Sequence, residues 1–263
     1  MKLKIALLLV FFSVCSQGQI KEITPEFSSK VEVNVHFIVG YDKFDFLYFI
    51  QNNTLFKSKN GVSLDYKNVA LGQITKVDLL NPLKVLVFYE RFNTVVTLDN
   101  QLNETLKINF SELKTPLIVT KMGMASQNQL WVFDEITSQL YLYETGNGTL
   151  KAVGTPISNE IKYYNSDFNT FEWLDNNNNW YQCSIFGKVE QLNYIFDFDS
   201  ILFSNEAFIF FRKHEKVLLF NKKNSEIISL INSDKTFESL TYKNQILTIF
   251  TTQGISNYKI TLP

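Results

Sequence analysis

A short, strongly apolar stretch recurs six times along the 263-residue chain, and nothing else in the sequence restricts its folding so far. It reads FLYFI at 46–50, KVLVFY at 84–89, QLWVFD at 129–134, TFEWLD at 170–175, AFIFFR at 207–212 and QILTIFT at 245–251. Measured between Leu47, Val85, Leu130, Phe171, Phe208 and Leu247, the spacings are 38, 45, 41, 37 and 39 residues. A polar turn and a second run follow each one: TLFKSK, TVVTLD, QLYLYE, WYQCSIF, KVLLFN and ISNYKITL. Short runs of β-branched and aromatic residues bounded by Asn, Asp and Gly read as strands. Beyond the amino terminus no stretch keeps a 3.6-residue period over three turns, so the chain is predicted to be all-β. A period near 40 with about four short strands per unit is the repeat of a β-propeller. Six units predict six blades and one domain over residues 19–263. The last unit supplies only three strands, and residues 20–27 (IKEITPEF) have strand character. This amino-terminal strand is predicted to complete the last blade and hide its open edge. A pair of β-sandwiches is the alternative fold.

Residues 1–18 (MKLKIALLLVFFSVCSQG) have a different character. Two lysines, an apolar run over 5–14 and small residues at Ser16 and Gly18 follow the plan of a secretory signal peptide. The run is about half of the roughly 20 residues a membrane-spanning helix needs. Export is therefore expected, to the periplasm or to association with an outer membrane. A lipid anchor at Cys15 is disfavoured, because Phe12, Ser13 and Val14 fit a lipobox poorly. No later segment is long and apolar enough to span a bilayer.

Composition then removes function classes. The formal net charge is -1, Arg91 and Arg212 are the only arginines, and the lysines are scattered. Nucleic-acid binders cluster Arg and Lys against phosphates, so no nucleic-acid partner is expected. After the leader only His36, His214 and Cys183 remain among Cys and His, too few for a zinc site. Asp197 and Asp199, two apart and on one side of a strand, are the nearest approach to a calcium cluster and read as a solvated edge. Cys183 lies in a strand pattern and reads as a buried free thiol. Gly-x-Ser-x-Gly is absent, and Gly146-Asn147-Gly148 reads as a hairpin turn rather than a phosphate loop. Asp78, Glu172, Asp197 and Asp199 are candidate carboxylates for a propeller glycosidase, but their spacing selects no pair. No cofactor and no metal is expected.

The segment QLWVFDEITSQLYLYE (129–144) resembles the blade of the NHL and YVTN-type propeller families, and NPLKVLVFYERFNTVVTLD (81–99) is a weaker match. Residues 74–144 are also similar to small exported propeller-like proteins of Bacteroidota cell envelopes. The WD pairing, the kelch Gly-Gly and the quinoprotein tryptophan motif are missing, so the resemblance implies a scaffold or binding role by analogy of fold. The six turns between second and third strands (51–53, 91–93, 134–138, 175–179, 212–215 and 252–253) are predicted to share one rim. That rim would carry Arg91, Phe92, Arg212 and His214, and Arg with aromatic residues is the usual anchor of a protein interface. The expectation is a non-catalytic exported propeller that binds an envelope protein. The alternative is a carbohydrate-active enzyme or glycan-binding protein using the central channel.

Overall fold

A computed structural model describes residues 21–32, 37–195, 197–203, 208–214, 216–231, 239–251 and 254–262. The leader at 1–18 with Cys15, and also His36, Glu215 and residues 252–253, lie outside the described residues. The fold is a six-bladed β-propeller, and each blade is an antiparallel meander running outward from the channel. Blade one comprises Phe37–Tyr41, Leu47–Gln51, Thr54–Lys59 and Val62–Tyr66; blade two Lys76–Asp78, Val85–Tyr89, Thr94–Leu98 and Glu104–Asn109. Blade three is Val119–Met124, Gln129–Asp134, Gln139–Glu144 and Leu150–Val153; blade four Ile161–Ser166, Thr170–Asp175, Asn179–Ser184 and Val189–Tyr194. Blade five contains Ser200–Phe203, Phe208–Lys213, Lys216–Asn221 and Ile227–Leu230; blade six Ser239–Lys243, Ile246–Thr251 and Gly254–Lys259. Among the described residues the only helical pieces are three short 3₁₀ turns.

The recurring apolar stretches are the second strands, and burial explains why they are apolar on both faces. Every residue of Val85–Tyr89 and of the third strand Thr94–Leu98 is buried, because neighbouring blades cover both sides of the sheet. Alternation therefore fails in the middle of a blade and returns towards its edge, as in the outer strand Glu104–Asn109. Aromatic side chains fill the seams. Trp131, Phe171 and Trp173 pack between blades three and four, and Trp180 meets Phe220 edge-on between four and five. Cys183 is buried in the seam of blades three and four, and desolvation pushes its thiol up to about 11. It is the buried free thiol expected from the sequence.

An amino-terminal strand closes the last blade. Glu26–Val31 pairs antiparallel with Gly254–Lys259 as the outer strand of blade six. The boundary of that strand differs from the expected 20–27. Lys21–Ile23 instead lies parallel to Ile227–Leu230 as a fifth strand of blade five. The division falls at Thr24 and Pro25, where proline lacks the N–H a continuous ladder requires. The chain's first strands thus bind two blades at once.

Candidate functional site

Each blade starts at the channel, so all turns from second to third strand fall on one end of the ring, beside the connectors between blades. Asparagines in the left-handed region build this end. Asn53 (φ 57) donates to the Gly72 carbonyl at 2.6 Å and accepts from the Ile74 N–H at 2.8 Å. Asn93 (φ 50) repeats the device one blade later, donating to the Leu117 carbonyl at 2.6 Å and accepting from the Val119 N–H at 3.0 Å. Asn tolerates this backbone better than most residues, and its amide offers a donor and an acceptor together. In blades three and four buried aspartates take over. Asp134 accepts from the Ile118 N–H at 2.8 Å, and Asp175 accepts from the Asn159 and Asn179 amides. Turns and connectors are locked to one another.

On that framework sit apolar side chains that have not been buried. Phe92 is 50% exposed and lies over Gly72 (φ 70), where an added Cβ would meet its Cε2 at 3.0 Å. Val69, 81% exposed, belongs to the 3₁₀ turn just before Gly72. Ile118 (47%) follows the Leu117 carbonyl held by Asn93, and its own carbonyl accepts from the Glu135 N–H beside Ile136 (76%). Val69, Phe92, Ile118 and Ile136 therefore follow one another in an arc over blades one to three, and exposed Arg91 precedes Phe92 in the chain.

Arg91 and Phe92 stand in this arc, whereas Arg212 and His214 do not. Those two belong to the corresponding turn of blade five, on the opposite side of the ring. Arg212 is half-buried, and its carbonyl accepts from the Asp199 N–H. His214 is exposed, and its backbone N–H donates to Asp199 Oδ2 at 2.9 Å. The sequence pointed to Ile136 only as part of the 134–138 turn, and gave no sign of Val69 or Ile118, which sit in the apolar runs Val69-Ala70-Leu71 and Leu117-Ile118-Val119.

The candidate carboxylates are spread over the molecule. Asp78, on the inner strand of blade two, faces a cavity at the other end of the channel and accepts from the Leu80 and Met124 N–H groups. Glu172 is buried in the seam of blades four and five, paired with Lys222 at 3.1 Å. Asp197 and Asp199 lie at the start of blade five, where Asp199 receives His214. Among the described residues no three His, Cys, Asp or Glu side chains gather as metal ligands, and no helix is long and apolar enough to cross a membrane.

No family model matches the chain, and no curated protein matches it. Solved structures do. A streptogramin B lyase superposes with a TM-score of 0.56 at 10% identity, over 90% of this chain and 97% of that one. The β-propeller domain of Swd1 from Myceliophteria thermophila gives 0.60 at 8% identity, over 90% and 100%. BBS1N, solved in complex with ARL6DN, gives 0.56 at 12% identity, over 83% and 75%. At these identities the likeness extends to the propeller fold alone.

Proposed function

We propose that this chain is a non-catalytic, exported propeller scaffold that binds a protein partner in a bacterial cell envelope, using the arc around Arg91 and Phe92. The observation that carries the reading is the arc itself. Four large apolar side chains stand exposed on turns that hydrogen bonds hold rigid, beside one of only two arginines in the chain. Rigid apolar anchors ringed by polar groups lose little conformational entropy on docking, and a guanidinium adds a directional bond to a carboxylate. Export rests on the leader-like residues 1–18, and the envelope setting on the resemblance of 74–144 to Bacteroidota proteins. Periplasmic release rather than a lipid at Cys15 belongs to the same reading. Asp78, Glu172 and the Asp197–Asp199 pair belong to blades two, four and five, which speaks for a binding role over a carboxylate-based enzyme. Among the neighbours in fold, BBS1N was solved with a protein bound.

The test is a double substitution, Arg91→Ala with Phe92→Ala. Capture of envelope partners should weaken by at least roughly 2 kcal/mol, about thirtyfold, the scale of an interface hot spot. The melting temperature should barely move, since both side chains are exposed. Undiminished capture by the folded double variant would move the interface off this arc.

A further inference from the structure

Five of the six seams between blades are filled by eight or more buried apolar side chains among the described residues. The seam of blades six and one holds three, Ile38, Phe250 and Ile255. Deeper along the same face of blade six the packing changes character. Thr241, Thr248, Asn257 and Ser29 stand opposite one another in register across all four strands. With strands roughly 4.8 Å apart, this polar row runs for roughly 14 Å. Thr248 Oγ1 bonds to Asn257 Oδ1 at 2.7 Å, and Asn257 Nδ2 donates to Ser29 Oγ at 3.1 Å. The row lines a cavity of about 870 Å³ that continues into the channel towards Lys76 and Asp78. That volume falls within the range of small-molecule sites.

Its chemistry narrows the occupant. The wall carries three carboxylates (Asp42, Asp45, Asp78) and three ammonium groups (Lys43, Lys76, Lys243), so its formal charge balances. The carboxylates are engaged except at one oxygen, Asp42 Oδ2, which is buried with no hydrogen-bond partner among the described residues. Asp45 pairs with Lys243 at 2.7 Å, Asp42 Oδ1 accepts from the Phe44 and Phe46 N–H groups, and Asp78 accepts from Leu80 and Met124. Nothing in this arrangement selects a strongly charged ligand. Hydroxyls and amides both donate and accept, which matches a ligand whose own groups do the same. Tyr41, its ring 6.4 Å from that of Phe250, gives the opposite wall an aromatic face.

We propose that the cleft between blades six and one binds a neutral saccharide or related polyol along the row Thr241, Thr248, Asn257 and Ser29. The cleft opens at the end of the channel remote from Arg91 and Phe92, so the site does not depend on the protein-docking arc.

The experiment titrates the full chain with maltose, cellobiose and N,N′-diacetylchitobiose, and with galacturonate as the charged comparison, by ligand-detected NMR. At least one neutral disaccharide should bind saturably. Asn257→Ala should weaken it tenfold or more, and so should Ser29→Trp, which fills the cleft from an exposed position on the outer strand. If Asn257→Ala does not fold, Ser29→Trp decides alone. The Arg91→Ala, Phe92→Ala variant should bind the sugar as the parent does. Three results would overturn the site: no saturable binding up to roughly 10 mM, unchanged affinity in the folded cleft variants, or tighter binding of galacturonate than of any neutral sugar.

Discussion

Single buried carboxylates hold the turns of this propeller in place, and Asp175 shows how. Its side chain is fully buried in the turn of blade four. Burial alone would raise its pKa, but hydrogen bonds from the Asn179 side chain and backbone, the Asn159 amide and the Asn177 N–H outweigh it, and the net shift is downward. A carboxyl with a lowered folded pKa contributes stability that is complete above the unfolded value of about 3.9. That contribution is lost as pH falls through the lower folded value. Asp175→Asn should therefore lower the urea midpoint at neutral pH and flatten its decline on acidification below about pH 4. Parallel acid limbs in parent and variant would show that the charge is not what matters. Gly123 makes a steric counterpart on the inner strand of blade three. An added Cβ there would run into Ser166 Oγ and lie 3.1 Å from Asp78 Oδ2, so any larger residue would have to displace side chains of the neighbouring inner strands of blades two and four.

At the scale of strands, Glu26–Val31 has the most to reveal. It covers the edge of Gly254–Lys259 and sets Phe27 edge-on to Tyr258 at 5.8 Å between ring centroids. Deleting residues 19–31 should cost a few kcal/mol, through lost strand hydrogen bonds and aromatic burial, and should promote association through the bared edge. A deletion variant that melts with the parent and stays monomeric would refute that role. The second strands were legible in the sequence almost to the residue, because burial on both faces writes an apolar run: QLWVFD is one strand, Gln129–Asp134, whereas the third-strand readings 180–186 and 255–262 overran Asn179–Ser184 and Gly254–Lys259. The division of the first segment was less visible, since only Pro25 marks it. Arg91 and Phe92 stood out through their rarity and position, whereas Val69, Ile118 and Ile136 become their neighbours only when connectors from successive blades lie side by side. The polar row of blade six depends on the summed register of four strands, including one from the other end of the chain. No linear pattern encodes that.

At the scale of the ring, the seams are unequal. The inner strands of blades six and one are joined largely by polar contacts, from Ser239 Oγ to the Ile38 carbonyl at 3.3 Å and from Lys243 Nζ to the Asp42 carbonyl at 3.2 Å. Local opening should begin where buried apolar area is least. Hydrogen exchange should therefore be faster in Phe37–Tyr41 and Ser239–Lys243 than in Val119–Met124 and Ile161–Ser166. Equal protection of the four inner strands would contradict this order. The pairing of Glu26 with Lys259 and Val31 with Ile255 also bears on how the molecule is made. The strand that leaves the ribosome early cannot meet its partner until the final blade has been translated, and the entropy of closing so long a loop defers that meeting further. For most of its synthesis the chain is an unclosed series of blades. A ring whose two distant segments share one blade can lock only after both have been made.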